Sequence, residues 1–343
     1  MVKNDILIES KIKRVIEDEA FSGTIHMKRD EEDAILMAAG YANRAEELMN
    51  KVDTRFGIAS GCKLFTAVAI GQLVEEDVIS FESRLTDCLD IEFPNFTPNV
   101  TVHHLLTHSA GIPDYFDEAE MDDFEDLWKQ QPMYLLRDLK DFLPMFQDKN
   151  MMFNPGEKFH YNNAGFILLG LIIEQKTQLR FIDYVKRNIF KRCKMYDSGY
   201  FSLDQLPENT ASGYIDEEDG TWRTNTYSIP IIGGADGGAY VSGPDMNRFW
   251  EGLLSNKLLK EPTKDRLLKP HIQVKQDVYY GYGIWINKRA EEIFKYHVMG
   301  YDPGVSFHSA VYPNSGISLT IPSNKSNGPF KIMKFLEDEL IIK

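Results

Sequence analysis

The sequence predicts an α/β fold of the α+β kind: one antiparallel sheet built from both chain ends, flanked by helices, with a mostly helical segment inserted between its halves. Three observations carry this expectation. Alternating apolar strands occur near both termini, two helices that are apolar on every side fall between them, and amphipathic helices begin and end the chain. At 343 residues the chain is long enough for a large core and for about two structural parts.

Residues 5–20 carry Ile8, Ile12, Val15 and Ile16 on one helical side, and Gly23 follows as a stop. Thr24–Met27 and Ala34–Ala39 read as two strands joined by the charged turn Lys28–Asp33. The stretch from Phe56 to Val74 then places Leu64, Phe65, Ala67, Val68, Ala69, Ile70, Leu73 and Val74 around a helix with no polar side, which marks it as buried. A second apolar helix spans Ala164–Ile173, after a turn at Pro155-Gly156. Near the other end Val305, Phe307, Ser309 and Val311 alternate, Pro313–Gly316 turns the chain, and Ile317, Leu319 and Ile321 alternate again. A last amphipathic helix carries Phe330, Met333, Leu336 and Leu340. The expected division assigns 1–85 and 236–343 to the sheet-containing part and 86–235 to the helical insert, with a site between them. No repeat or low-complexity linker interrupts this plan.

At the head of the first buried helix stands Ser60-Gly61-Cys62-Lys63. Serine is a favoured residue at a helix start, and a three-residue step returns to the same helical face, so Lys63 is expected over Ser60. A serine hydroxyl is a poor nucleophile until a neighbour takes its proton. Desolvation disfavours a charged lysine, so a lysine at a buried helix end can serve as that base. The helix N-terminus adds amides for a developing oxyanion. The plain alternative is a capping serine beside a lysine that reaches outward to water.

Charge and composition exclude several classes of function. The 38 basic and 52 acidic residues leave a formal charge of −14, which disfavours nucleic acid and anionic membrane surfaces as partners. Cys62, Cys88 and Cys193 are odd in number and scattered, with no disulfide framework or zinc spacing. The first twenty residues are too charged for a signal core and no run is long enough to span a bilayer, so a cytoplasmic location is expected. The acidic stretch Asp117–Asp126 lacks calcium-loop spacing and reads as a solvated face rather than a metal site or lid. His103, His104 and His108 lack an intervening glutamate of the H-E-x-x-H kind, and Ser109–Pro113 breaks any helix after them. His108 is therefore read as a loop anchor, and neither a metal nor a cofactor is expected.

Tyr161-Asn162-Asn163 precedes the second apolar helix. Tyr161 and Asn163 could both face a cleft, as proton shuttle and substrate contact, or be a surface tyrosine and an ordinary capping asparagine.

Taken with their flanks, these stretches resemble the serine beta-lactamase and penicillin-binding-protein family, in its class C and esterase-like branch. Arg55–Ala67 resembles the S-x-x-K motif, and Leu105–Pro113 resembles the LLTHTSGLP loop with Ala110 in place of serine. Tyr161–Asn163 resembles Y-x-N, Ile189–Met195 resembles IF-x-PLGM with its Pro, Leu and Gly replaced, and Gly237–Phe249 resembles GG-x-x-S-x-x-D-x-x-x-F. The resemblance runs nearly end to end. It implies a beta-lactamase/transpeptidase-like fold in which Ser60 forms an acyl-enzyme, Lys63 and Tyr161 share the proton work and Asn163 contacts substrate. The oxyanion hole would be the amides of Ser60 and Tyr301, beside Gly300. The implied partner is a small molecule or short peptide: an ester, a D-amino-acid peptide or a beta-lactam.

The third family motif, K-T-G or H-x-G, meets Tyr296–Gly304 here. An ungapped match through Gly300 and Pro303-Gly304 puts Val298 at the basic position, whereas a gap puts His297 there; the two side chains point to opposite faces of a strand. A serine hydrolase of this type has two rivals. An α/β-hydrolase needs glycine two residues before its serine, where this chain has Ile58. A binding or sensing protein that keeps the fold without catalysis is favoured by Val298 and disfavoured by Ser60, Lys63 and Tyr161.

Overall fold

The computed structural model describes residues 2–30, 32–121 and 124–341. Helix α1 (Val2–Asp18) leads into strands β1 (Gly23–Arg29) and β2 (Glu32–Ala39), which form the expected hairpin; Glu31 of its turn lies outside the described residues. The buried helix is α2 (Lys63–Glu75) and the second apolar helix is α3 (Asn163–Thr177). After α4 (Gly243–Leu254) come β3 (Ile272–Lys275), β4 (Val278–Tyr280), β5 (Trp285–Arg289), β6 (Glu292–Asp302), β7 (Val305–Tyr312) and β8 (Ile317–Ser323), then α5 (Pro329–Leu336).

These strands form one eight-stranded antiparallel sheet in the order β2-β1-β8-β7-β6-β5-β4-β3. The pairing of β1 with β8 joins the chain's ends, Gly23 facing Ser323. On one sheet face Ile12 of α1 and Ile332, Met333 and Leu336 of α5 pack on Ile25, Ala310, Leu319 and Ile321. On the other lies the larger core, where Leu64, Phe65 and Val68 of α2 meet Phe166 and Leu169 of α3, Phe249 and Trp250 of α4, and Val298 and Phe307 of the sheet. Period-2 alternation sends 307, 309 and 311 to this core and 310 and 312 to the other.

The middle of the chain is less regular than expected. Between Thr107 and Asn162 the described residues form loops and 3₁₀ turns, such as Phe124–Lys129 and Leu139–Met145, held by buried Trp128, Leu139 and Phe146 rather than by long helices. Cys62, Cys88 and Cys193 are free and buried. Among the described residues no helix is long and apolar enough to cross a membrane.

Candidate active site

Ser60 does not cap α2. It sits in a 3₁₀ turn, Ala59–Cys62, that runs directly into the helix, and the residue before it, Ala59, is buried with φ +44°. This left-handed conformation is costly for alanine and re-aims the chain at the serine. The three-residue step brings Lys63 Nζ to 2.8 Å from Ser60 Oγ. Lys63 is 1% exposed and also donates to Asn163 Oδ1 at 2.8 Å and to the Asp236 carbonyl at 2.6 Å. Both of those oxygens can only accept, so they hold two N–H bonds of the amine. The remaining tetrahedral position faces Ser60: a third N–H in the ammonium, a lone pair for the hydroxyl proton in the neutral amine.

The start of α3 supplies the next groups. Asn162 caps the helix, accepting from Gly165 N at 2.7 Å. The buried Asp114 carboxylate accepts from the amides of Tyr115, Asn163 and Ala164 at 2.7, 2.6 and 2.9 Å. Burial still pushes this carboxyl up to about 7, against those hydrogen bonds and the nearby Lys63 charge. Asn163 turns Nδ2 toward the Phe116 carbonyl and Glu118, leaving Oδ1 for the lysine. The ring of Tyr161 lies 4.9 Å from Lys63 Nζ and its hydroxyl is turned to Ser60. Burial, with the Glu118 charge, holds this phenol well above its ordinary range, so it stays a neutral donor.

Strand β6 closes the other side. Its pairing with β5 ends at His297↔Trp285, which leaves Val298–Asp302 as an edge beside Ser60. Gly300 lies flat on the serine turn: a Cβ there would press on the Ile58 carbonyl and come within 2.8 Å of Ser60 N and 2.9 Å of Gly61 N. Gly300→Ala is therefore expected to displace strand or serine and to cost activity far more than it lowers melting temperature, as a paired hydrolase assay and thermal melt will read.

This placement decides between the two registers. Val298, two residues before Gly300, shares its face; it is 2% exposed and pairs with Ser309, whose hydroxyl accepts from Trp250 of α4 at 2.8 Å. His297 pairs with Ala310 on the opposite face. Its ring stacks on Trp285, and burial with the nearby Lys295 and His308 charges holds it well below the usual imidazole range. The expectation that His297 binds substrate is thus corrected: side chains alternate along a strand, and the ungapped register turns this one away from the cleft.

A family model described as Beta-lactamase matches residues 11–340. The chain belongs to the beta-lactamase family. It is similar to the penicillin-binding protein from Bacillus halodurans, at 55% identity and TM-score 0.92 over 95% of this chain and 99% of that one. The octameric penicillin-binding protein homologue from Pyrococcus abyssi is 27% identical with TM-score 0.84, over 97% of this chain and 76% of that one. Penicillin-binding protein 4* of Bacillus subtilis (strain 168) is 27% identical over 90% of this chain and 69% of its own length.

In this beta-lactamase-family chain the serine opens on a cavity of about 520 Å³. Apolar walls come from Phe116, Met121, Phe124, Phe142, Leu203 and Ile229, and Asn163 and Tyr301 also line it. Asp114, Asp236 and Asp302 join the site from distant parts of the chain, and no local spacing in the sequence announces them. The acidic stretch is not a uniformly solvated face either: Glu118 lines the cavity and Asp117 pairs with His160 at 2.9 Å, while Asp122 and Asp123 lie outside the described residues. The histidines diverge. His108 accepts from Asn162 N at 3.1 Å, which leaves Nε2–H for the Tyr280 hydroxyl at 3.1 Å; His103 meets Tyr282 and His104 meets Thr101. Among the described residues no group of His, Cys, Asp and Glu is arranged to hold a metal.

Proposed function

We propose that this protein is a serine hydrolase that works through an acyl-enzyme at Ser60 on small esters or amides, and favours substrates without a carboxylate beside the reacting bond. The observation that carries the reading is the 2.8 Å contact of Lys63 Nζ with Ser60 Oγ, with the other two donor positions already occupied. In its free-amine form Lys63 accepts the Ser60 proton as Oγ attacks the carbonyl carbon. The amides of Ser60 and Tyr301 stabilise the oxyanion. Lys63 or the neutral Tyr161 phenol returns the proton to the leaving group, leaving the acyl-enzyme. Water then attacks in the reverse sense, its proton passing through the same pair to Ser60. A binding protein without catalysis has no use for a buried lysine held in this way.

The preference follows from Val298. A basic side chain there would give a substrate carboxylate a charge-assisted hydrogen bond of about 1.5–3 kcal/mol, which valine cannot make. The lost affinity is roughly one to two orders of magnitude. Turnover of p-nitrophenyl acetate should therefore exceed that of a chromogenic cephalosporin, and Val298→His should raise kcat/KM for the cephalosporin selectively. A fluorophosphonate that adds no mass to the Ser60 peptide, together with no ester turnover, would refute the hydrolase reading.

A further inference from the structure

The charged groups that line the cavity are all acidic. Glu118, Asp236 and Asp302 line it, and among the described lining residues there is no lysine, arginine or histidine. Lys63 stands behind the serine with its three donor positions directed at Ser60, Asn163 and Asp236. Two of the carboxylates are engaged: Tyr115 donates to Asp236 Oδ2, and Asn163 Nδ2 lies 3.4 Å from Glu118 Oε1.

Asp302 differs from both. It is partly buried, and among the described residues its carboxylate has no hydrogen bond or ion pair. It lies on the β6 edge two residues past Gly300, on the same face as Gly300 and Val298, hence about 7 Å along the strand from the glycine that touches the serine turn. The strand that would offer a substrate carboxylate a cation thus carries a buried, apolar Val298 and then presents the carboxyl of Asp302 to the cavity.

We propose that Asp302 selects substrates that carry a protonated amine near the reacting carbonyl, making the cleft a site for aminoacyl amides or esters; this rests on the serine-hydrolase reading above. The cavity's charge is complementary to an ammonium and repels a carboxylate. An ammonium on Asp302 forms a charge-assisted hydrogen bond in a partly desolvated place, where such bonds are strongest. The surroundings of the carboxyl agree with this. Burial and the Asp236 and Glu118 charges, opposed by Lys63, push Asp302 up to about 8, and Tyr115 and Tyr240 face it as neutral phenols. In the empty cleft it therefore titrates near neutral pH. An arriving ammonium favours the ionised form, so binding should release a proton to the buffer.

The test compares alanine p-nitroanilide, in both enantiomers, with its N-acetyl derivative. The wild type is expected to show at least a tenfold higher kcat/KM for one free-amine enantiomer than for its acetylated form. In Asp302→Asn, an isosteric change, that ratio should fall by about ten- to a hundredfold, the scale of a lost charge-assisted hydrogen bond; Glu118→Gln should move it less. A ratio near one in the wild type, or one unchanged in Asp302→Asn, overturns the proposal. A second arm needs no turnover. Calorimetry on folded Ser60→Ala should find benzylamine binding at least tenfold more tightly than benzoate, with proton release at pH 7. Equal affinities overturn the proposal even if the hydrolase reading stands. Amine-selective binding with no fluorophosphonate labelling of the wild type would instead keep the selectivity and reject the hydrolase.

Discussion

Ser60→Ala is expected to abolish covalent labelling by a fluorophosphonate and to lower ester hydrolysis by at least about 10⁴-fold, the scale seen when a nucleophile is removed from a preorganised site. The residual rate should reflect only binding and the oxyanion amides. The fold should survive, because Ser60 is partly exposed and serves no helix cap; its side chain meets Lys63 and faces the Tyr161 hydroxyl. Mass spectrometry should place the reagent's mass on the peptide that contains Ser60 in the wild type and nowhere in the variant. Hydrolysis that persists undiminished in Ser60→Ala would move the nucleophile elsewhere.

Removing a proton carrier comes next in size. Lys63→Ala and Tyr161→Phe should each lower kcat by about 10²- to 10⁴-fold, the range of general acid–base help. Their effects should not add to each other or to Ser60→Ala, because the groups act as one unit. The two differ in a second respect. Tyr161→Phe removes a hydroxyl turned to Ser60 and keeps the ring beside Lys63 and Trp285. Lys63→Ala strips a donor from Asn163 Oδ1 and the Asp236 carbonyl, both buried. Each orphaned acceptor costs about 1–3 kcal/mol, so the lysine variant alone should also melt lower. It further removes the positive charge that opposes the raised carboxyls of Asp114, Asp236 and Asp302. A full kcat/KM in either variant, on any substrate that labels Ser60, would remove that residue from the proton path.

What the sequence by itself determined is local. The step from Ser60 to Lys63 is three residues, and helical geometry alone brings the two side chains to one face. The β1–β2 and β7–β8 hairpins follow from period-2 alternation across short turns, and the all-apolar faces of α2 and α3 required burial before any partner was known. The Y-x-N stretch placed Tyr161 and Asn163 at a helix mouth, though not on Lys63, which lies 100 positions from Asn163.

The tertiary structure decided everything that closes over a long loop. The Asp236 carbonyl meets Lys63 across 173 positions and the Asp114 carboxylate meets the α3 amides across 49, contacts that no periodicity encodes. The irregular middle escaped for the same reason, since its 3₁₀ turns are held by tertiary packing of Trp128 and Phe146 rather than by a repeating pattern. The third motif shows the limit most directly. Its letters permit two registers one residue apart, and a strand's alternation makes these opposite faces. Only the contact of Gly300 with the Ser60 turn, and the pairing of β6 with β7, put Val298 toward the core and His297 away from the cleft.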